Sequence, residues 1–182
     1  MIPQSHLDLL QELGADGNPH SMRTLTAHLI GTAELLERWG NAEPICTAGL
    51  FHSIYGTEYY KRQTADLSLR PMISARIGER AEELAWLFCA CDRLALPRLA
   101  ATGDRRLTGR LLVEPVVLSD ETLRALAEIE IANALEQCPP GPLASVELRT
   151  RWAQRWASFE GWLTPGAWAA FQSWCRGEES AA

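Results

Sequence analysis

Lysine is nearly missing from this chain: Lys61 is the only lysine among 17 basic residues, and the formal net charge is −6. A nucleic-acid surface needs a clustered positive field, so this balance argues against one. No apolar run approaches the roughly 20 residues of a membrane span. The first residues, Met1-Ile2-Pro3-Gln4-Ser5-His6, lack a basic segment followed by an apolar one. A cytoplasmic protein with no membrane partner is the expectation. Alternating β-branched runs are scarce as well, since Leu111-Leu112-Val113 and Val116-Val117-Leu118 are short and separated by Pro115. There is no internal repeat and no low-complexity tract. The five cysteines (46, 89, 91, 138, 175) are odd in number and set in apolar segments. Buried free thiols explain them better than a disulfide framework.

What the chain does have is helical periodicity. Apolar residues make up 47% and charged residues 22% of 182 positions, enough for a single domain with a substantial core. The spacing predicts an all-α fold over residues 1–182, with helices over Gln4 to Leu13, Thr24 to Trp39, Pro44 to Tyr55, Pro71 to Ile77 and Glu79 to Cys91. Thr57 to Arg70 reads as a loop over the site or a partly helical excursion, and Ala95 to Ser119, broken by Pro97, Gly103, Gly109 and Pro115, as a surface excursion. Ser119-Asp120-Glu121-Thr122 caps a helix that Pro139-Pro140 stops near Gln137. A tryptophan-rich helical extension from about 143 carries Trp152, Trp156, Trp162, Trp168 and Trp174. Core packing explains these rings, with a homodimer contact or an aromatic ligand cage as the alternatives.

Two histidines stand out. His28 is in line with Thr32, Leu35, Leu36 and Trp39 on the interior stripe of its helix. His52 follows Ile45, Ala48 and Gly49 at the same spacing, so both imidazoles are expected to face the bundle centre, where helical proteins build metal sites. His20 is a third candidate ligand just upstream. The small residue Gly49 lets the neighbouring helix come close.

These residues carry a resemblance. The chain is similar to the HD-domain superfamily, and within it to the hydrolase domain of guanosine tetraphosphate enzymes. His28 matches that family's first histidine, Ala48-Gly49-Leu50-Phe51-His52-Ser53 its His-Asp run, and Arg76 to Leu84 its glycine-containing helix. Asn133, in Glu130-Ile131-Ala132-Asn133-Ala134-Leu135, stands where that family has its last aspartate. The chain also resembles a degenerate branch of bacterial and fungal proteins (DUF6817-like) through Thr24 to Thr32, Trp39-Gly40 and Leu50 to Thr57. The resemblance implies an HD-domain-like helical bundle.

Ser53 and Asn133 remove two anionic ligands from the implied metal site, which disfavours magnesium or manganese. Neutral histidines still suit zinc, iron or copper, so His20, His28 and His52 form a candidate three-histidine site. Glu58 or Asp92 could replace a missing carboxylate. The expected function is a small-molecule enzyme with His28, His52, Tyr55, Glu58 and Asn133 at its centre and Arg76, Arg93 and Gln137 on the substrate. A metal-free version of the same pocket, also lined by Glu136, or a catalytically silent small-molecule or partner-binding protein, has the same composition.

Overall fold

A computed structural model describes residues 1–15, 19–20, 23–57 and 63–178, with only the backbone of Pro19, His20 and Arg23. Among the described residues the chain is mostly helical. The helices are α1 (Gln4–Glu12), α2 (Leu25–Arg38), α3 (Glu43–Phe51), α4 (Arg70–Ile77), α5 (Glu79–Ala90), α6 (Ala95–Thr102), α7 (Asp120–Gln137), α8 (Val146–Arg155) and α9 (Pro165–Arg176). None is long and apolar enough to cross a membrane.

The capping chemistry is local. The Thr24 hydroxyl accepts from Ala27 N at 3.2 Å, Ser119 from Thr122 N at 3.1 Å, Ser145 from Leu148 N at 3.2 Å and Thr164 from Ala167 N at 3.3 Å. Each satisfies an amide that the first helical turn leaves without a partner.

Helix α7 is the axis. An unbroken run from Ala125 to Ala134 is buried, and a helix buried on all sides must be surrounded. Helices α2, α3, α5, α6 and α9 pack around it. Helices α2 and α3 come very close, because a side chain at Gly49 would meet Leu36 Cδ1 at 2.3 Å. The far end of α2 is tied to the C-terminal part by buried Glu128, which accepts from Asn41 Nδ2 at 2.9 Å and from the amide of Thr164 before α9.

The tryptophans of the C-terminal part pack on one another. Trp152 lies 4.8 Å from Trp156 and 4.7 Å from Trp174 between ring centroids, and Trp156 meets Phe171 edge-on at 5.7 Å. Trp156 and Trp174 are both buried. All five cysteines are free thiols.

Three features depart from the sequence expectation. Residues 95–102 form a helix and not part of a surface excursion: Pro97 falls in the first turn of α6, where no amide is needed, and Leu96 and Leu99 are buried. Two short antiparallel ladders occur, β1 (Pro19–His20) with β2 (Arg23–Thr24) and β3 (Arg106–Leu107) with β4 (Val116–Val117). Helix α3 ends at Phe51, so Ser53 to Tyr55 form a turn closed by Gly56 N on Ser53 O at 2.9 Å.

Candidate functional site

Helix α2 aims His28 at α7, and the end of α3 aims His52 at the same place. Their Nε2 atoms lie 3.1 Å apart, with the rings perpendicular. From α7, Asn133 brings Oδ1 to 3.2 Å from His28 Nε2, and Gln137, one turn further on, donates to His28 Nε2 at 2.9 Å and to Asn133 Oδ1 at 3.1 Å. His28, His52 and Asn133 are buried, while Gln137 is exposed at the outer end of the cluster.

The other ring nitrogens fix the tautomers. His28 Nδ1 donates to the Glu136 carboxylate, and His52 Nδ1 donates to Gly49 O at 2.6 Å. Both rings therefore carry their proton on Nδ1 when neutral, which turns both Nε2 lone pairs towards the common centre. Glu136 can reach His28 because Gly31 has no side chain; a Cβ there would lie 2.8 Å from Glu136 Oε1. Burial holds the pKa of His52 well below the ordinary histidine value, and neighbouring His28 lowers it further. Phe88 stands edge-on to His52 at 5.5 Å, and the Cys89 thiol donates to the His52 carbonyl at 3.0 Å.

Three acceptors, His28 Nε2, His52 Nε2 and Asn133 Oδ1, thus face one small volume. Ligand atoms on a tetrahedral ion with bonds of about 2.0–2.1 Å are about 3.3 Å apart, close to the spacing here. The set is neutral and nitrogen-rich, a fit for zinc, iron or copper and a poor one for magnesium. Among the described residues, no three His, Cys, Asp or Glu side chains converge as a metal-binding group. The fit therefore rests on two histidines and an amide oxygen.

The cluster opens on a cavity of about 360 Å³ between α7 and α8, lined by Arg93, Glu130, Asn133, Gln137, Trp152 and Trp156 among others. Arg93 Nε donates to buried Glu130 Oε2 at 2.6 Å, and Arg155 reaches Glu130 Oε1 at 3.4 Å. A second cavity of about 190 Å³, by the start of α1, is lined by His6, Glu37, Glu43 and Cys46 and is separate from the histidine pair.

Other expected residues are placed elsewhere. Tyr55 is buried and donates to Glu82 Oε1 at 2.9 Å, in a network that includes Arg70; burial raises its pKa and Glu82 raises it further. Arg76 is not brought to the histidines, since its guanidinium is clamped on Glu12 at the surface. The Asp92 carboxylate caps the next turn by accepting from Leu94 N at 3.0 Å. Glu58 lies outside the described residues, as does the His20 side chain. Sequence reading missed the roles of Glu130 and Arg155. The spacing Glu130, Asn133, Gln137 on one face of α7 was the available signal for the first, and nothing local marked the second.

Comparison with known proteins adds one finding. Residues 9–93 match a family model, Domain of unknown function (DUF6817). The matched stretch contains Thr24 to Thr32, Trp39-Gly40 and Leu50 to Thr57, the segments that carry that likeness, and both His28 and His52. It stops before Asn133, Glu136 and Gln137. No curated protein and no solved structure matches the chain.

Proposed function

We propose that this protein is a small-molecule enzyme of HD-domain-like fold, centred on the His28–His52 pair, with the two histidines and Asn133 holding a divalent zinc, iron or copper ion. The observation that carries the reading is the 3.1 Å approach of two Nε2 atoms whose Nδ1 protons are already committed to Glu136 and Gly49. Such a pair is arranged to hold one positive charge between the rings. A bound ion would polarise a substrate oxygen or lower the pKa of bound water towards about 7.

The chain's own groups have separable tasks. Glu136 fixes the His28 ring, as carboxylates commonly do for metal-binding histidines. Gln137 orients the Asn133 amide by donating to its oxygen. Arg93, paired with Glu130 beside the cavity, would orient an anionic substrate.

The alternative is a catalytically silent small-molecule binding protein, favoured by the neutral character of the inner groups. Metal analysis of protein purified without a histidine tag separates the two. The enzyme reading expects near-stoichiometric zinc, iron or copper that His52→Ala releases. Metal-free protein with no thermal shift on adding any of these ions would leave the binding reading. A homodimer through the C-terminal helices would use exposed Leu143, just before α8, and Val146 at its first position, and concentration-independent sedimentation as a monomer would exclude it.

A further inference from the structure

Trp156 and Arg155, two adjacent residues at the end of α8, hold an unusual pair of atoms. Among the described residues, Trp156 Nε1 and Arg155 Nε are buried donors without a hydrogen-bond acceptor. Buried donors nearly always find partners, so two neighbouring exceptions need an explanation. Both residues line the 360 Å³ cavity between α7 and α8. The Arg155 guanidinium is also weakly compensated, because Glu130 is held at 2.6 Å by Arg93 and at only 3.4 Å by Arg155.

We propose that this cavity binds a small organic anion with a flat apolar body, its carboxylate or similar head taken by Arg155 and the indole N–H of Trp156. The guanidinium calls for charge on the ligand, since two acceptor oxygens suit its fork. The apolar walls, Trp152, Trp156, Leu148 and Pro139, call for a flat hydrocarbon body. The volume lies at the low end of the roughly 300–1,000 Å³ of small-ligand sites, which restricts the ligand to a compact molecule. Asn133 and Gln137 line the same cavity and contact His28, so one end of the ligand comes up to the histidine centre. Only this last statement, on orientation, rests on the proposed function. Binding itself does not require a metal.

The test is calorimetric titration of the full chain after chelator treatment, so that no ion can recruit a carboxylate. The probes are 2-naphthoate, its neutral analogue 2-naphthamide, and inorganic phosphate. The naphthoate should bind at least about tenfold more tightly than either of the others. Arg155→Gln should remove the preference for carboxylate over amide. Trp156→Phe, which keeps an aromatic ring and deletes the donor, should weaken the naphthoate severalfold and the naphthamide by less, because a neutral carbonyl accepts more weakly than a carboxylate.

Equal binding of naphthoate and naphthamide, no saturable naphthoate binding, or unchanged naphthoate affinity in folded Arg155→Gln would each overturn the proposal. Should Arg155→Gln fail to fold, the carboxylate-to-amide ratio of the unmodified protein decides alone. His52→Ala keeps the two ideas apart. Loss of metal uptake with intact naphthoate binding supports both, whereas naphthoate binding in a protein that never takes up metal supports the anion site and removes the metal centre.

Discussion

The histidine centre and the tryptophan-lined cavity share α7 as a wall but differ in how their polar groups are satisfied. At the centre the ring nitrogens, the amides and a carboxylate are linked to one another, and their partners fix each ring's tautomer. At the cavity, the Glu130 carboxylate serves two guanidinium groups, and among the described residues two donors lack acceptors. A satisfied polar network is rigid and preorganised, while an incompletely satisfied one is completed by what binds. On the proposed function, the first region would serve as the reaction centre and the second as a ligand compartment.

The largest expected effect lies at the border of the two regions. Glu130→Gln leaves two guanidinium groups without their buried carboxylate and should cost about 3–5 kcal/mol in urea unfolding. A loss below about 1 kcal/mol would mean that the cavity wall is wetter and less dependent on this ion cluster than its burial implies. Gly31→Ala attacks the centre instead: its new methyl would push Glu136 off His28, at an expected cost of about 1–3 kcal/mol. The same variant should lower metal affinity while leaving naphthoate binding in place, and a loss of both would break the separation of the two regions.

A smaller effect follows from pH. In chelator-treated protein the folded state keeps His52 neutral, whereas the unfolded chain takes up a proton there below about pH 6.5. Stability should therefore fall as pH drops through that value, by at most about 1.4 kcal/mol per unit, until the depressed folded pKa is reached. His52→Asn should flatten this slope, and an unchanged slope would assign the acid sensitivity to another group. The smallest effect concerns Arg76, paired with Glu12 at the surface. Arg76→Ala should change neither metal uptake nor naphthoate affinity, and weakened binding would mean that the surface pair acts on the site.

Much of the helical pattern was legible because it depends on local chemistry. The Ser119 cap, the start of α2 near Thr24 and the interior stripe through His28 and Thr32 lie within single helices, so residue type and spacing located them. The meeting of α2, the end of α3 and α7 at one point was partly legible, through inward-facing histidines and the small Gly49. Helix α6 was not, because Pro97 looks like a breaker until its place in the first turn is known. The two-residue strands were hidden for a similar reason: pairing across a turn depends on chain path more than on composition. Glu130 and Arg155 are 25 residues apart and meet only where the end of α8 comes opposite α7. Arg76 illustrates the converse, since a basic residue in a suggestive segment was claimed by a surface carboxylate.

The account depends on both imidazoles presenting unprotonated Nε2 atoms to a shared centre. Nitrogen-15 NMR of the imidazole rings in chelator-treated protein near pH 8 reads this directly. Both His28 and His52 should appear as Nδ1–H tautomers, with Nε2 resonances that both move on adding about one zinc per chain. An Nε2–H tautomer on either ring, or zinc that leaves both Nε2 signals in place, would contradict the proposed centre.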